Sequence, residues 1–277
     1  MLPIVLATMS ALATGTADFS GGKASRRGSP LAVTVVSQLL GLPLLLVCLV
    51  VVPGTPGGTD LVWGAAAGLA GFAGVVLLYR ALASGAMAVV APITAVTAAL
   101  IPIVAGLLTA SNPGRLALIG ATVAVLAIGL VSLGPGTGRG SVSARLVATA
   151  LASGACFGIF MTLFAQPGAD AGMWPLLAVR VASVGTGLVL MARTRTPYRL
   201  TRPGLAWSAA AGTLDILGNA LYLAAATRGH LSVVAALASL YPVTTVLLAL
   251  GVDRERLRPL QFAGLGLAAA ALVLATG

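Results

Sequence analysis

The sequence predicts an all-α integral membrane protein of ten transmembrane helices, built from two inverted five-helix repeats. Three observations carry that prediction: ten apolar stretches, a restatement of the first five by the last five, and a one-sided distribution of basic residues. Each stretch has about 18–23 residues, the length an α-helix needs to cross the hydrocarbon core. Hydrophobic residues make up 58% of the 277 and charged residues 8%, where a soluble domain carries about 25% charged. With a mean hydropathy of +1.05, the chain has too little polar surface to cover a water-soluble fold.

The first span, near 3–20, has no basic residue ahead of it and Lys23, Arg26 and Arg27 behind it. It reads as a spanning helix entering with its N-terminus outside, not as a cleaved signal. The second and third, near 31–52 and 61–82, are parted by Pro53-Gly54-Thr55-Pro56-Gly57-Gly58, which cannot continue a helix. Ser111-Asn112-Pro113-Gly114 parts the fourth and fifth, near 86–108 and 116–134. The low-complexity stretch 134–140 then falls at the midpoint. The domain reading is therefore a first repeat over 1–134, a linker over 135–145 and a second repeat over 146–277.

The second repeat supplies spans near 146–165, 173–192, 204–226, 231–250 and 260–276, with breaks at Gln166-Pro167-Gly168 and Arg202-Pro203-Gly204. Ala11-Leu12-Ala13-Thr14-Gly15 matches Ala150-Leu151-Ala152-Ser153-Gly154. Further on, Gly85, Val89, Val90, Leu116, Gly120 and Ala124 meet Gly229, Val233, Val234, Leu260, Gly264 and Ala268 at one constant shift. Five spans per copy is an odd number, so the second copy must run upside down relative to the first. Such inverted repeats characterise secondary transporters. Gly64/Gly68 and Gly154/Gly158 give small-residue faces for close helix approach. Pro43, Pro92, Pro102 and Pro242 lie inside spans, either as packing kinks or where freed carbonyls line a cavity.

With ten spans, thirteen of the sixteen basic residues fall on one side; Arg115 and Arg228 fall on the other, and Arg180 lies within a span. The positive-inside rule then places both termini outside and the odd-numbered loops in the cytoplasm. The net charge of +10 is explained by that orientation, so no nucleic-acid partner is expected. Cys48 and Cys156 sit in apolar segments as small core residues, and His230 is the sole histidine. No disulfide, metal site or cofactor is expected.

Of the six acidic residues, Asp60, Asp170, Asp253 and Glu255 fall in loops, where solvated structural roles are expected. Asp18 and Asp215 fall within spans, where an ionisable group costs about 2.5–3.5 kcal/mol and marks a functional candidate. Asp215 is near mid-span, with Asn219 and Tyr222 following at i+4 and i+7 on one face. That stripe reads as a cavity wall or as a hydrogen-bond cluster pinning helices. Arg180, about 10 Å from the outer end of its span, can reach the level of Asp215. A pair between them serves equally as a structural tie or as a gate opened by substrate or proton. Asp18 is either a cavity group or the partner of Lys23 or Arg26. Tyr241, before a proline, and Gln38 with Ser37, which correspond roughly to Arg180 in the first half, complete the candidates.

These residues resemble the EamA family of the drug/metabolite transporter superfamily, whose members have ten spans in two inverted repeats. The resemblance covers nearly the whole chain. It is carried by Gly15-Thr16-Ala17-Asp18-Phe19 leading to Lys23, by Gly212-Thr213-Leu214-Asp215 with Gly218-Asn219, by Ala238-Ser239-Leu240-Tyr241-Pro242-Val243-Thr244, and by the Glu255-Arg256-Leu257 turn. The matching first-half turn, Ser111-Asn112-Pro113, lacks the acidic residue. Many relatives carry basic residues at the N-terminus and between the second and third spans; this chain has none there, and its orientation is taken from its own charges.

The resemblance implies a transporter in the inner membrane, with the bilayer, a small molecule such as an amino acid or amine and, where transport is proton-coupled, protons as partners. Export by alternating access, facilitative or proton-coupled, is the expected activity of a monomer or homodimer. An intramembrane enzyme is the main alternative, but Asp215 lacks a Gly-x-Gly-Asp context, and neither His-Glu-x-x-His nor Gly-x-Ser-x-Gly occurs. A lipid- or drug-handling membrane protein is a further alternative. A channel would require a ring of polar pore residues, and none is visible.

Overall fold

The helices start where the sequence provides turn residues and prolines. Pro3, Pro30, Pro175, Pro203 and Pro242 each sit in the first turn of a helix, where the missing N–H costs nothing. Ser143 and Thr201 add side-chain caps, accepting from the N–H groups of Leu146 and Gly204. The computed structural model describes residues 1–108, 115–132, 143–257 and 259–275. The 134–140 stretch, the Ser111–Gly114 break and Arg258 lie outside the described residues.

The helices are α1 Leu2–Ser25, α2 Pro30–Val51, α3 Gly58–Leu82, α4 Met87–Leu108, α5 Arg115–Ser132, α6 Ala144–Phe164, α7 Trp174–Thr194, α8 Arg202–Ala226, α9 Leu231–Ala238, α10 Tyr241–Gly251 and α11 Pro259–Ala275. A 3-10 turn, Ala169–Ala171, precedes α7. The protein is all-α among the described residues, and α1, α2, α3, α6, α7 and α8 are each long and apolar enough to cross a membrane. It is a multi-pass membrane protein.

One expected span is corrected. The stretch 231–250 is not one helix but two, α9 and α10, parted at Ser239-Leu240. Pro242 has no N–H to give to the carbonyl four residues back, and its ring crowds that carbonyl and restricts Tyr241. Pro43, with the same chemistry, stays inside a continuous α2. A close neighbour does not account for the difference: Gly15 of α1 lies against the Tyr241 carbonyl, but Gly154 lies against the Thr94 carbonyl in the same way and α4 runs on through Pro92.

The two halves are interlocked. Helix α1 packs on α8 and α10, as α6 packs on α3 and α4; α2 packs on α8, as α7 packs on α3; α5 packs on α11. The contacts recur in kind, about one helical turn out of the sequence register. A Cβ on Gly15 would meet the Tyr241 carbonyl and Thr244 Cβ, and one on Gly154 would meet the Thr94 carbonyl and Thr97 Cβ. Ser10 donates to the Gly218 carbonyl at 2.8 Å, and Ser153 to the Gly74 carbonyl at 2.8 Å; Gly74 and Gly218 obey the same shift as the sequence repeat. Gly64 and Gly68 press on the backbone of α7, and Gly154 and Gly158 on that of α4.

Because each half buries its helices mainly against the other, neither has a complete core. Expressed alone, residues 1–142 should fail to accumulate as a monodisperse species, while 1–142 and 143–277 produced together should assemble. A stable, monodisperse single half in size-exclusion chromatography would contradict this.

The turns sort to two ends. At one end, Lys23 pairs with Asp253, Arg26 bridges Asp253 at 2.5 Å and Glu255 at 3.5 Å, and Gly28 lies against Leu200. Glu255 also accepts from the N–H groups of Met87 and Ala88, and Leu146 packs with Leu82 and Met87. Turns α1–α2, α3–α4, α7–α8 and α10–α11 and the start of α6 therefore gather there, and with them Arg80, Arg145, Arg193, Arg195, Arg199, Arg202, Arg254 and Arg256. At the far end, Thr55 N–H donates to the Asp170 carbonyl at 2.9 Å and Gly168 N–H to the Asp60 carboxylate at 3.0 Å. Gly229 lies against Pro3 there.

Candidate functional site

Between the two ends, helices from both halves enclose a cavity of about 160 Å³. Its wall has contributions from α1, α2, α3, α6, α7, α8 and α10. It forms where α2 and α8 cross most closely: a Cβ on Gly212 would lie 1.7 Å from the Ser37 carbonyl oxygen, and one on Gly41 2.6 Å from the Gly212 carbonyl. No side chain fits between these backbones, so the polar residues flanking the crossing are turned toward the space beside it.

The structure brings Asp18, Gln38, Arg180, Asp215, Asn219 and Tyr241 to this one cavity. The Arg180 guanidinium forms an ion pair with the Asp215 carboxylate. Arg180 is only 8% exposed, whereas the Asp215 side chain is 37% exposed, so one partner is locked in the helix packing and the other faces open space. Asn219 spends an N–H on the Asp215 backbone carbonyl at 2.7 Å, which leaves its amide oxygen free for the cavity. The depth arithmetic explains the pairing: Arg180 is six residues into α7 and Asp215 eleven from the far end of α8, a gap of about 7 Å that an arginine spans.

Asp18 resolves differently from the ion-pair alternative. Lys23 and Arg26 are engaged by Asp253 and Glu255 of the other half, and Lys23 stands over the Phe19 ring at 5.7 Å. Asp18 itself has no hydrogen-bond or ion-pair partner among the described residues and lines the cavity. Tyr222 also departs from the expected stripe. It is absent from the cavity wall and packs with Ala7, Ala225 and Val234 where α1, α8 and α9 meet.

Buried polar atoms near the pair are incompletely satisfied. Gln38 Oε1, Arg180 Nε and Ser183 Oγ have no hydrogen-bond partner, although Gln38 and Ser183 are 5% and 1% exposed.

Sequence reasoning missed the aromatic part of the wall. Tyr79, packed over Gly21, lines the cavity, and Phe157 and Phe160 approach across Gly74 and Gly71. The available signals were the repeat-related positions of Tyr79 and Tyr222 and the i, i+3 spacing of the two phenylalanines. Neither distinguishes a cavity ring from one facing core or lipid.

The expected solvated roles of Asp253 and Glu255 are corrected. Asp253 is nearly buried between Lys23 and Arg26, and Glu255 accepts from the N–H groups of Met87 at 3.0 Å and Ala88 at 2.9 Å. A carboxylate on the first N–H groups of α4 suits the positive end of the helix dipole. Burial pushes the Glu255 carboxyl above the usual glutamate range; those two N–H groups and Arg26 pull it part of the way back, while Asp253 adds to the rise. Asp60 keeps a structural role, capping α3 through Gly57 N–H at 2.8 Å. Among the described residues no cluster of metal-ligating side chains forms.

Two stretches of the chain, residues 1–133 and 145–277, each match the family described as EamA-like transporter family. No curated protein matches the chain.

Proposed function

The chain belongs to the EamA-like transporter family, and from that premise we propose that it is a secondary transporter moving a small metabolite such as an amino acid or amine by alternating access. In this reading ten passages cross the inner membrane, with α9 and α10 forming one, and the repeats run in opposite senses. Both termini face outward, the basic end lies in the cytoplasm, and the repeats occupy 1–134 and 146–277 on either side of the linker. The observation that supports it most is the cavity lined by both halves, with Arg180 paired to Asp215 inside it. A cavity shared between repeats opens to one side or the other when the repeats rock.

Asp215 is the group we assign to substrate or proton binding, with Arg180 as its resting partner. Asn219, Asp18, Tyr241 and Gln38 complete the site. A substrate group or proton that competes for the carboxylate frees the guanidinium, so the pair acts as a gate and proton coupling follows from the same exchange. Export is the direction we propose for that metabolite. A cytoplasm-sensing reporter fused after Gly277 should stay silent; a strong signal would overturn the orientation.

The Lys23–Asp253–Arg26–Glu255 cluster is the closure of the basic end, because it fastens three turns drawn from both halves. Opening that end requires these contacts to part. Glu255 gives the closure a pH signature. Its folded carboxyl is raised above its ordinary value of 4.5, so the folded chain holds that proton more tightly than the unfolded one. The associated stability is fully present below the ordinary value and is lost as pH rises through the raised one. Glu255→Gln should flatten this component of the melting midpoint measured in detergent from about pH 4 to pH 7. An unchanged slope in that variant would remove Glu255 from the account.

A further inference from the structure

Among the described residues three charged side chains reach the cavity, and they do not balance. Arg180 and Asp215 answer one another, leaving Asp18 as a second carboxylate, close enough to Asp215 for their charges to interact. The nearest cations along α1, Lys23 and Arg26, are held at the basic end by Asp253 and Glu255. An ionised carboxylate away from bulk water is costly without a counter-charge. With Asp18 ionised the cavity carries one net negative charge, which either a proton on Asp18 or a bound cation cancels.

The neutral surroundings of that charge have a consistent chemistry. Gln38, on the same wall, has a carbonyl oxygen with no partner and is almost fully buried. The rings of Tyr79, Phe157, Phe160 and Tyr241 supply the apolar part of the wall, and aromatic faces attract cations. Acceptors and π faces therefore dominate around Asp18. The one cationic donor, Arg180, is already committed to Asp215.

We infer that Asp18 binds the ammonium group of a small organic amine, with the aromatic wall holding its hydrocarbon body. This rests on the transporter reading for its biological use and names the substrate class of the same cavity. A monocation brings the cavity to neutrality. A zwitterion leaves the negative charge in place and adds a carboxylate that must either displace Asp215 from Arg180 or face two aspartates. An anion is worse on both counts. The class selected is thus an amine without a carboxylate, in preference to an amino acid.

The test is calorimetric binding to the purified full chain in detergent, using three amines: methylamine, butylamine and phenethylamine. Each is paired with its alcohol analogue, and phenethylamine also with phenylalanine. At least one amine should bind ten-fold or more tightly than its alcohol, and phenylalanine should bind at least ten-fold more weakly than phenethylamine. Asp18→Asn should lower amine affinity at least ten-fold, and Asp18→Glu should retain most of it. Both variants are compared at equal detergent, which removes partitioning into micelles from the difference.

Failure of all three amines, equal binding of phenylalanine, or unchanged amine affinity in a monodisperse Asp18→Asn protein would overturn the inference. Should Asp18→Asn not fold, Gln38→Leu provides the second variant, with a several-fold loss for amines expected and no loss overturning the assignment. Flux in proteoliposomes separates the two levels of claim. Movement of zwitterions without amine binding would sink the amine site and keep the transporter, whereas amine binding with no flux of any solute would do the reverse.

Discussion

Replacing Arg180 with methionine should reduce transport by about two orders of magnitude and lower the melting temperature. Arg180 is buried in the cavity wall and its charge is met by Asp215. Breaking a buried pair by removing one partner typically costs 3–5 kcal/mol; because the Asp215 side chain is 37% exposed, solvent screens the stranded charge and about 2 kcal/mol is the expected loss. The decisive comparison is the double variant Arg180→Met/Asp215→Asn, which strands no charge. Stability should largely return while transport stays lost, because the gate has gone with the pair. Recovery of both stability and flux would make the pair a structural tie.

Gly212→Ala should be the most damaging single methyl group at any of the described glycines. The new Cβ would be placed 1.7 Å from the Ser37 carbonyl oxygen, with the Gly41 backbone amide nitrogen at 3.1 Å. Neither is a side chain that can swing aside, so α2 and α8 must separate, and overpacking of this kind costs about 1–3 kcal/mol or more. Because the crossing also shapes the cavity, transport should fall at least ten-fold even in the protein that still folds. Gly185→Ala is the matched control: nothing lies within 4 Å of its added Cβ, and alanine favours the helix by about 0.8–1.0 kcal/mol. Its yield and melting temperature should equal or exceed those of the parent. Similar behaviour of the two variants would contradict the packing argument.

These cases also mark what the chain discloses before it is folded. Helix positions were legible because their limits are local: Pro53 to Gly58, or Pro203 after Arg202, stops or starts a helix wherever it occurs. The Arg180–Asp215 pair was legible because depth along a straight helix is a matter of counting, and a buried charge demands an opposite one. The α9–α10 break was not. Pro242 resembles Pro43 in sequence, yet Pro242 opens a new helix and Pro43 lies inside one.

The same limit hid the basic-end cluster. Asp253 and Glu255 looked like loop acids because their partners, Lys23, Arg26 and the start of α4, are more than 160 residues away. Tyr222 failed for a geometric reason. It shares a helical face with Asp215, but α8 passes from the cavity into the α1–α9 contact within two turns, so one stripe meets two environments.

The central claim is that solute crosses the membrane through the cavity containing Asp215 and Arg180. Solute flux into proteoliposomes tests it most directly, with a panel of amines, amino acids and sugars offered to the parent protein and to Asp215→Asn. The account predicts that at least one small metabolite enters well above the rate of empty liposomes, and that Asp215→Asn, reconstituted at equal density, reduces that rate at least ten-fold. No flux above empty liposomes from well-folded parent protein, or equal flux through the variant, would contradict it.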